Sequence, residues 1–170
     1  MKLSDSQTIE ADAATVWAAL LDREVLMACV PGCTEMDGNP DDGFTATVVQ
    51  KVGPVKATFK GVVTLSNRDE PTSLTITGEG KGGPAGFAKG GADVRLESTG
   101  DQTVLHYDVE AKVGGKLAQL GSRIIDGFAK KMADEFFTNF KEAVEGPGEE
   151  DDNDAEDDTP KKGWFKRLTT

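Results

Sequence analysis

The chain has 170 residues and a formal net charge of -11, which suits one domain with a charged appendage. An acidic domain repels phosphate backbones, so the composition argues against a nucleic-acid partner. The first residues lack the apolar stretch of a signal peptide, and no run approaches the ~18 apolar residues of a membrane span. We therefore expect a cytoplasmic domain that does not cross a membrane.

The first part of the chain predicts one strand followed by two short helices. Residues 3–10 alternate loosely between polar and apolar side chains, as strand residues do. Residues 11–21 are rich in helix formers, and Asp12 is a suitable N-cap. A second helix, at about 23–29, ends where a proline and a glycine at 31–32 break it.

The middle of the chain predicts a run of antiparallel strands. Their turns are rich in Gly, Pro, Asn and Asp and are too short to contain crossover helices. The predicted strands are residues 44–52, 55–65, 74–80, 92–98 and 103–113. Alternation places Phe59, Leu105 and Tyr107 on the inner face of the sheet and His106 on the outer face.

The last element of the domain is a predicted helix at about 116–145. Its apolar residues recur every three or four positions and form one stripe. The stripe comprises Leu117, Leu120, Ile124, Phe128, Met132, Phe136, Phe140 and Val144. The helix also carries Gly121 and Gly127, each of which costs about 1 kcal/mol relative to Ala. A Gly-Pro-Gly sequence at 146–148 is expected to end the helix.

These elements predict an α+β fold of the helix-grip class. It consists of a curved antiparallel sheet around a long C-terminal helix, with two short helices after the first strand. The inner face of the sheet mixes large apolar residues with small ones, namely Ala46, Ala57, Gly61, Gly78, Gly80, Ala92 and Ala111. Two explanations for the small residues remain open: room for an apolar ligand, or sheet curvature and close packing.

Side chains suited to acid–base, nucleophilic or metal chemistry are sparse in the predicted domain. His106 has no second histidine and no predicted serine or cysteine beside it, so we assign no catalytic residue. Cys29 and Cys33 lie in CVPGC, whose spacing differs from the CxxC redox motif. A zinc site needs about four ligands, and the chain has two Cys and one His. We predict reduced structural thiols and no metal.

The C-terminal segment divides into an acidic and a basic part. Residues 147–159 form a predicted acidic linker, which we expect to be disordered because like charges repel and apolar residues are scarce. Residues 160–170 form a basic and aromatic tip that suits an anionic membrane surface, with docking to a protein or no role as alternatives. The predicted membrane-contact residues are Lys161, Lys162, Trp164, Phe165, Lys166, Arg167 and Leu168. We therefore expect a peripheral location on the inner face of the cell membrane.

Four segments resemble the family of the G subunit of carbon monoxide dehydrogenase, within the START and Bet v 1-like helix-grip proteins. They are VWAALLDREVLMACVPGC (16–33), VGPVKATFKG (52–61), GEGKGGPAGFAKGGADVRL (78–96) and GGKLAQLGSRIIDGFAKKMADEFFTNF (114–140). Together they cover most of residues 1–145, and their order and spacing make the resemblance specific. We expect the ligand-binding domain to comprise residues 1–146.

The resemblance implies an apolar cavity for a respiratory quinone, menaquinone or ubiquinone, bound without a covalent link. It also implies a partner, a molybdenum hydroxylase of the CO dehydrogenase type, that needs an electron route to the membrane. The ligand-binding residues expected under this hypothesis are Phe59, Ile76, Phe87, Leu105, Tyr107, Leu120, Ile124, Phe128 and Met132. Tyr107 offers a polar group to a quinone oxygen, and a flexible loop at 82–90 places Phe87 at the cavity mouth.

Two other functions remain open. One is a ligand-free assembly factor that recruits such an oxidoreductase to the membrane, which a filled interior would favour. The other is an enzyme, because related helix-grip folds include cyclases and hydrolases, although no convergent set of titratable residues is predicted. The sequence GEGKGG at 78–83 departs from GxGxxG and precedes a strand, so it predicts no phosphate site.

Overall fold

The computed structural model describes residues 1–145, which form an α+β fold. In chain order the elements are β1 (Lys2–Ile9), α1 (Ala13–Leu20), α2 (Arg23–Cys29), β2 (Cys33–Asn39), β3 (Gly43–Val52), β4 (Val55–Asp69), β5 (Ser73–Lys81), β6 (Phe87–Thr99), β7 (Gln102–Gly114), α3 (Lys116–Gln119) and α4 (Ser122–Glu145). The predicted linker at 147–159 and the predicted tip at 160–170 lie outside the described residues.

The seven strands form one antiparallel sheet in the order β1-β7-β6-β5-β4-β3-β2. Strands β2 to β7 are neighbours both in sequence and in space, so short turns connect them. β1 pairs with β7, with Lys2 opposite Glu110 and Ile9 opposite Thr103, and forms one edge. With α4 following the sheet and two short helices following β1, the predicted helix-grip fold is confirmed.

The edge strand β2 is absent from the sequence prediction. Residues 33–39 contain charged residues, an asparagine and a glycine, and they do not alternate regularly between apolar and polar side chains. Pairing with β3 nevertheless holds this segment extended, with a register shift between Cys33 and Glu35, and Met36 is its buried residue. Tertiary pairing, rather than local preference, therefore creates the strand.

Side-chain caps begin the two short helices after β1. The Asp12 carboxylate accepts a hydrogen bond from the backbone N–H of Thr15 at 2.8 Å, which confirms the predicted N-cap of α1. Asp22 caps α2 in the same way, accepting from the N–H groups of Glu24 and Val25. Each helix therefore begins where a carboxylate satisfies N–H groups that lack a helical partner.

The predicted helix at 116–145 is divided in the structure. The short helix α3 ends at Gln119, Gly121 has a φ of 92°, and α4 begins at Ser122. The prediction of one continuous helix is wrong because a positive φ, which favours glycine, turns the chain at Gly121. No helix within residues 1–145 has both the length and the apolar composition that crossing a membrane requires.

The connection between β5 and β6 is shorter than the predicted loop at 82–90. β6 begins at Phe87, so only residues 82–86 connect the strands, with a 3-10 turn at Gly83–Ala85. Gly86 has a φ of 111° and lies against the backbone of Gly114, where a Cβ has no room. The second half of the predicted loop is therefore strand, and the connection is a compact turn.

The core consists of two clusters at opposite ends of the concave, inner face of the sheet. The cluster near α1 contains Ile9, Val16, Leu105, Phe137 and Phe140 among its buried residues. The cluster near α3 contains Val52, Leu117 and Ile125. We call these two regions the α1 end and the α3 end. Because Ile125 belongs to one cluster and Phe140 to the other, α4 runs from the α3 end to the α1 end.

Candidate functional site

A band of half-buried apolar residues separates the two core clusters on the inner face. Val48, Ala57, Ala88 and Ala111 lie on inner-face positions of the sheet, and within residues 1–145 they belong to neither cluster. Met132 on α4 shares this property, being half-buried and outside both clusters. Apolar side chains in a close-packed interior lose their exposure, so this band lines a space.

The position of α4 explains why a space remains. Its main neighbours among the described elements are α2 and β1, with a smaller contact to β3. The central strands β4, β5 and β6 make few close backbone approaches to α4 within residues 1–145. The helix therefore seals the side of the sheet next to β1, while the inner faces of the central strands lie farther from it.

The inner-face glycines separate the two explanations given for the small residues. A Cβ on Gly80 would lie 3.8 Å from the Cβ of Phe59, and one on Gly78 would have no contact closer than 3.7 Å. Packing therefore does not require glycine at either position, and the missing side chains leave room over β5. At Gly90 a Cβ would instead strike the backbone of β7. Open space accounts for Gly78 and Gly80, and close packing accounts for Gly90.

A depression of about 420 Å³ opens at the α3 end, within the range of roughly 300–1,000 Å³ for small-molecule sites. Its lining residues are Pro54, Val55, Lys56, Ala57, Thr58, Gly82, Pro84, Ala85 and Lys116. The β3–β4 turn and the start of β4 form one wall, and the 82–86 turn with α3 forms the other. Val55 and Ala57 are inner-face residues, so the depression reaches the inner face of the sheet.

Five predicted ligand-binding residues lie along the α3 half of this space. They are Phe59, Leu120, Ile124, Phe128 and Met132. All but Ile124 are half-buried, and three of them pack against the α3-end cluster. Leu120 and Ile124 flank the β3–β4 turn, since a Cβ on Gly53 would lie 3.9 Å and 3.6 Å from their methyl groups. Ile124 is 41% exposed and therefore lies at the opening.

Three other predicted residues belong to the packed α1 end. Leu105 is fully buried, and the Tyr107 ring stacks on Phe137 with 4.9 Å between ring centroids. Ile76 packs against the same cluster and is half-buried. Leu105 has no surface left for a ligand, so its role is in the core, whereas Ile76 retains exposure toward the inner face.

The Tyr107 hydroxyl lies in a polar setting between β1 and α4. Burial raises the pKa of this hydroxyl, and the negative charges of Asp5 and Asp134 raise it further. Lys130 and a hydrogen bond with the Gln7 side chain oppose that increase. The hydroxyl therefore remains protonated at neutral pH and can donate a hydrogen bond. Its contact with a quinone oxygen stays a prediction.

Phe87 lies outside the site that the sequence predicted. It pairs with Lys81 of β5 and Gly114 of β7 on the outer face, and 39% of it is exposed. Its ring covers Gly114, because a Cβ on that glycine would strike the ring carbons. The prediction that Phe87 points at the ligand is wrong because β6 begins at this residue, and strand alternation directs it outward.

The described residues offer binding surface rather than reactive groups. Within residues 1–145 no group of three or more His, Cys, Asp or Glu side chains is arranged to hold a metal ion. His106 lies on the outer face, with Nε2 2.9 Å from Oε1 of Glu97. Cys29 and Cys33 are free thiols, and burial raises the pKa of the Cys29 thiol to about 12, which makes it a poor nucleophile.

The predicted site omitted most of the residues around the depression at the α3 end. Pro54, Lys56, Pro84 and Lys116 line it, yet none was proposed as a ligand neighbour. One sequence signal was present, since a Gly-Pro turn at 53–54 and a second Gly-Pro pair at 83–84 mark two turns at the same end of an antiparallel sheet. That both turns face α3 required the structure.

Comparison with known proteins identifies the fold and the family model that fits. Residues 6–145 match the model described as the G subunit of carbon monoxide dehydrogenase (CoxG). A conserved protein from Geobacillus kaustophilus is 25% identical, with a TM-score of 0.80, over 85% of this chain and 95% of that one. A START superfamily protein from Mycobacterium smegmatis is 16% identical, with a TM-score of 0.64, over 85% and 97% of the two chains.

The structure of Ara h 8.0201 is also similar, at 14% identity and a TM-score of 0.57, over 85% of this chain and 97% of that one. At such low identities the last two structures establish the fold alone. No curated protein matches the chain in sequence.

Proposed function

The chain belongs to the CoxG family of carbon monoxide dehydrogenase, and on this premise we propose that it is a non-catalytic carrier of a respiratory quinone. The quinone, menaquinone or ubiquinone, would lie between the sheet and α4 without a covalent link. It would accept electrons from a molybdenum hydroxylase of the CO dehydrogenase type and return them to the membrane pool.

The observation that carries this proposal is the half-buried apolar band between the two core clusters. Space over Gly78 and Gly80, together with half-buried Phe59, Phe128 and Met132, gives an apolar ligand surface to cover. Each buried methylene group contributes about 0.8 kcal/mol. An isoprenoid chain can therefore be held by burial alone, which suits a site lined mainly by apolar side chains.

The depression at the α3 end is the proposed entrance. It adjoins the inner face at Val55 and Ala57, and the exposed Ile124 flanks the same turn of the sheet. A quinone that entered here tail or ring first would pass the α3-end cluster before it reached the packed α1 end. Tyr107, whose hydroxyl is protonated, is the proposed hydrogen-bond donor to a quinone oxygen.

The C-terminal segment is the proposed link to the membrane. The membrane-contact residues Lys161, Lys162, Trp164, Phe165, Lys166, Arg167 and Leu168 combine bases with aromatic side chains. Such a composition favours the headgroup region of an anionic bilayer, where each base contributes about 1 kcal/mol. The resulting attachment would be reversible, as a carrier that also visits a dehydrogenase requires.

A second candidate is a ligand-free recruitment factor for the same kind of oxidoreductase. The observation in its favour is the tight packing of the α1 end, where Leu105 and Phe140 are fully buried. If packing were equally complete at the α3 end in solution, the domain would act as a scaffold that tethers its partner to the membrane.

The deciding experiment measures quinone in the purified full chain. The protein is isolated from a host that contains respiratory quinones, extracted with organic solvent and assayed by mass spectrometry. The Gly80→Leu variant fills the space over β5, and the matched Thr77→Leu variant adds a leucine to the outer face of the same strand. We expect one quinone per chain in the parent and in Thr77→Leu, and a large loss in Gly80→Leu.

Circular dichroism checks that both variants remain folded. Absence of quinone from the parent, and failure of the purified protein to take up added menaquinone or ubiquinone, would establish the recruitment factor instead. Equal quinone in all three proteins would show that the ligand lies elsewhere than over β5.

A further inference from the structure

Six lysines are concentrated on the outer face of the sheet, next to the α3 end. We call this surface the basic face, and its members are Lys51, Lys56, Lys60, Lys81, Lys89 and Lys112. All six are exposed, and the strand registers place them on the same side of the sheet. The chain as a whole carries -11, so the basic face is a local reversal of charge.

The lysines of the basic face oppose one another in pairs across neighbouring strands. Lys51 faces Lys56. In the same way Lys60 faces Lys81, and Lys89 faces Lys112. Like charges directly opposite each other destabilise a sheet. No salt bridge formed within residues 1–145 includes any of these lysines. The repulsion therefore persists in the isolated domain, and an anionic surface would relieve it.

Two exposed apolar side chains lie on the same surface. Phe87 is 39% exposed and stands directly opposite Lys81, and Val62 is 55% exposed and stands opposite Glu79, the acid within the basic face. Lysines that surround an aromatic side chain are typical of segments that lie in the membrane interface, where the ring enters the headgroup zone and the ammonium groups meet lipid phosphates.

We propose that the basic face binds an anionic lipid surface and so turns the α3 end toward the membrane. The depression lined by Lys56 and Lys116 then opens next to the bilayer. This contact is made by the folded domain and is additional to the C-terminal tip. It concerns the lipid surface alone and does not require a bound quinone.

The length of the C-terminal segment allows both contacts to form at once. α4 has 24 residues and ends at the α1 end, so it carries the chain about 36 Å away from the α3 end. Trp164 follows Glu145 by 19 residues, which can span at most about 65 Å when fully extended. The tip can therefore return to the membrane on which the basic face rests, and two linked contacts bind more tightly than either alone.

The test uses the full chain with quinone-free vesicles made of equal parts phosphatidylglycerol and phosphatidylcholine. The Lys60→Gln/Lys81→Gln variant removes one opposing pair, and the matched Lys131→Gln/Lys141→Gln variant removes the same charge from α4. We expect the first variant to bind these vesicles about 30-fold more weakly, since each lysine at an anionic surface contributes about fivefold. The α4 variant should bind nearly as the parent does.

Equal weakening of both variants would show a general charge effect and would overturn the proposal. So would parent-like binding of Lys60→Gln/Lys81→Gln, which would leave the basic face for an acidic protein surface. A quinone-loaded parent whose basic face ignores these vesicles would separate the two proposals, because the carrier function would stand while this inference would not.

A second readout reports insertion rather than affinity. Phe87→Trp is made in a Trp164→Phe background, where the remaining Trp17 is only 4% exposed. We expect its fluorescence to shift to shorter wavelength on anionic vesicles. The matched Val104→Trp probe lies on the outer face toward the α1 end and should not shift. A shift of both probes, or of neither, contradicts the proposed orientation.

Discussion

Polar atoms at the α1 end are held by hydrogen bonds or kept uncharged by burial. The Thr103 side chain is fully buried, and its hydroxyl donates to the carbonyl of Ala11 at 2.8 Å. The carbonyl of Cys29 accepts from Nδ2 of Asn139 at 3.0 Å, while the Cys29 thiol is almost completely buried. Satisfied polar groups of this kind fix a core in one arrangement, so the α1 end supports the fold rather than the ligand.

The buried Cys29 thiol makes stability depend on pH in the alkaline range. Burial raises its pKa from an ordinary value of 9.0 to about 12, and the charge of Glu142 adds to the increase. Because the folded-state pKa is the higher one, the folded chain keeps a proton that the unfolded chain loses. Stability is therefore complete below pH 9 and falls above it, by about 1.4 kcal/mol per pH unit up to the folded-state pKa.

Urea unfolding at successive pH values above 9 measures this slope. The Cys29→Ala variant should lose it, and its stability should decline more slowly than that of the parent as pH rises. Cys33→Ala is the matched control, since Cys33 is half-buried and its thiol donates to the carbonyl of Glu35 at 3.3 Å. Identical slopes for the parent and Cys29→Ala would refute the assignment of the slope to this thiol.

Elements with strong periodicity could be predicted from the sequence, and elements made by tertiary contacts could not. Alternation correctly separated the two faces of β4 and β7, and Asp12 marked the start of α1. β2 was missed because pairing with β3 holds it extended without a local signal. Phe87 was misplaced because the start of β6, which decides its face, depends on the tight turn at 82–86.

The two glycines of the C-terminal region play opposite roles, although the sequence placed both in one helix. Gly121 has a φ of 92° at the break before α4, and Gly127 lies inside α4. A Cβ at either position would meet no atom within 4 Å, so only the backbone distinguishes them. This pair isolates the energetic effect of the α3–α4 break from any change in packing.

We expect Gly121→Ala to destabilise the fold by roughly 1–2 kcal/mol, because a side chain disfavours the left-handed backbone. Gly127→Ala should stabilise it by up to about 1 kcal/mol, because alanine is the better helix former. Chemical unfolding of both variants tests the two signs together. Stabilisation by Gly121→Ala would mean that the region prefers the continuous helix that the sequence alone suggested.

At the scale of the whole molecule, packing and charge are both polarised along α4. The α1 end is closely packed, whereas the α3 end has the depression and adjoins the basic face. The sequence predicted which residues face inward but not which end is open. Leu105 and Phe59 follow the same alternation, yet one is fully buried and the other is half-buried, because the distance between α4 and each strand decides the difference.

The closure of the α1 end also predicts where the folding unit stops. Phe140 is fully buried, Val144 packs against the same cluster, and the Glu145 carboxylate accepts from the N–H of Glu10 at 2.9 Å. A chain truncated after Gly148 should therefore unfold at the same temperature as the full chain. Truncation after Asn139 removes Phe140 and should cost at least the roughly 3–5 kcal/mol of a buried phenylalanine.

Thermal unfolding of the full chain and both truncations measures these differences at fixed pH and salt. The comparison is sharp because the first truncation removes the acidic run and the whole tip, and the second removes nine further residues that include the last turns of α4. A clear loss of stability on truncation after Gly148 would show that the C-terminal segment contributes to the fold. Its proposed role would then change from a membrane attachment to a part of the domain itself.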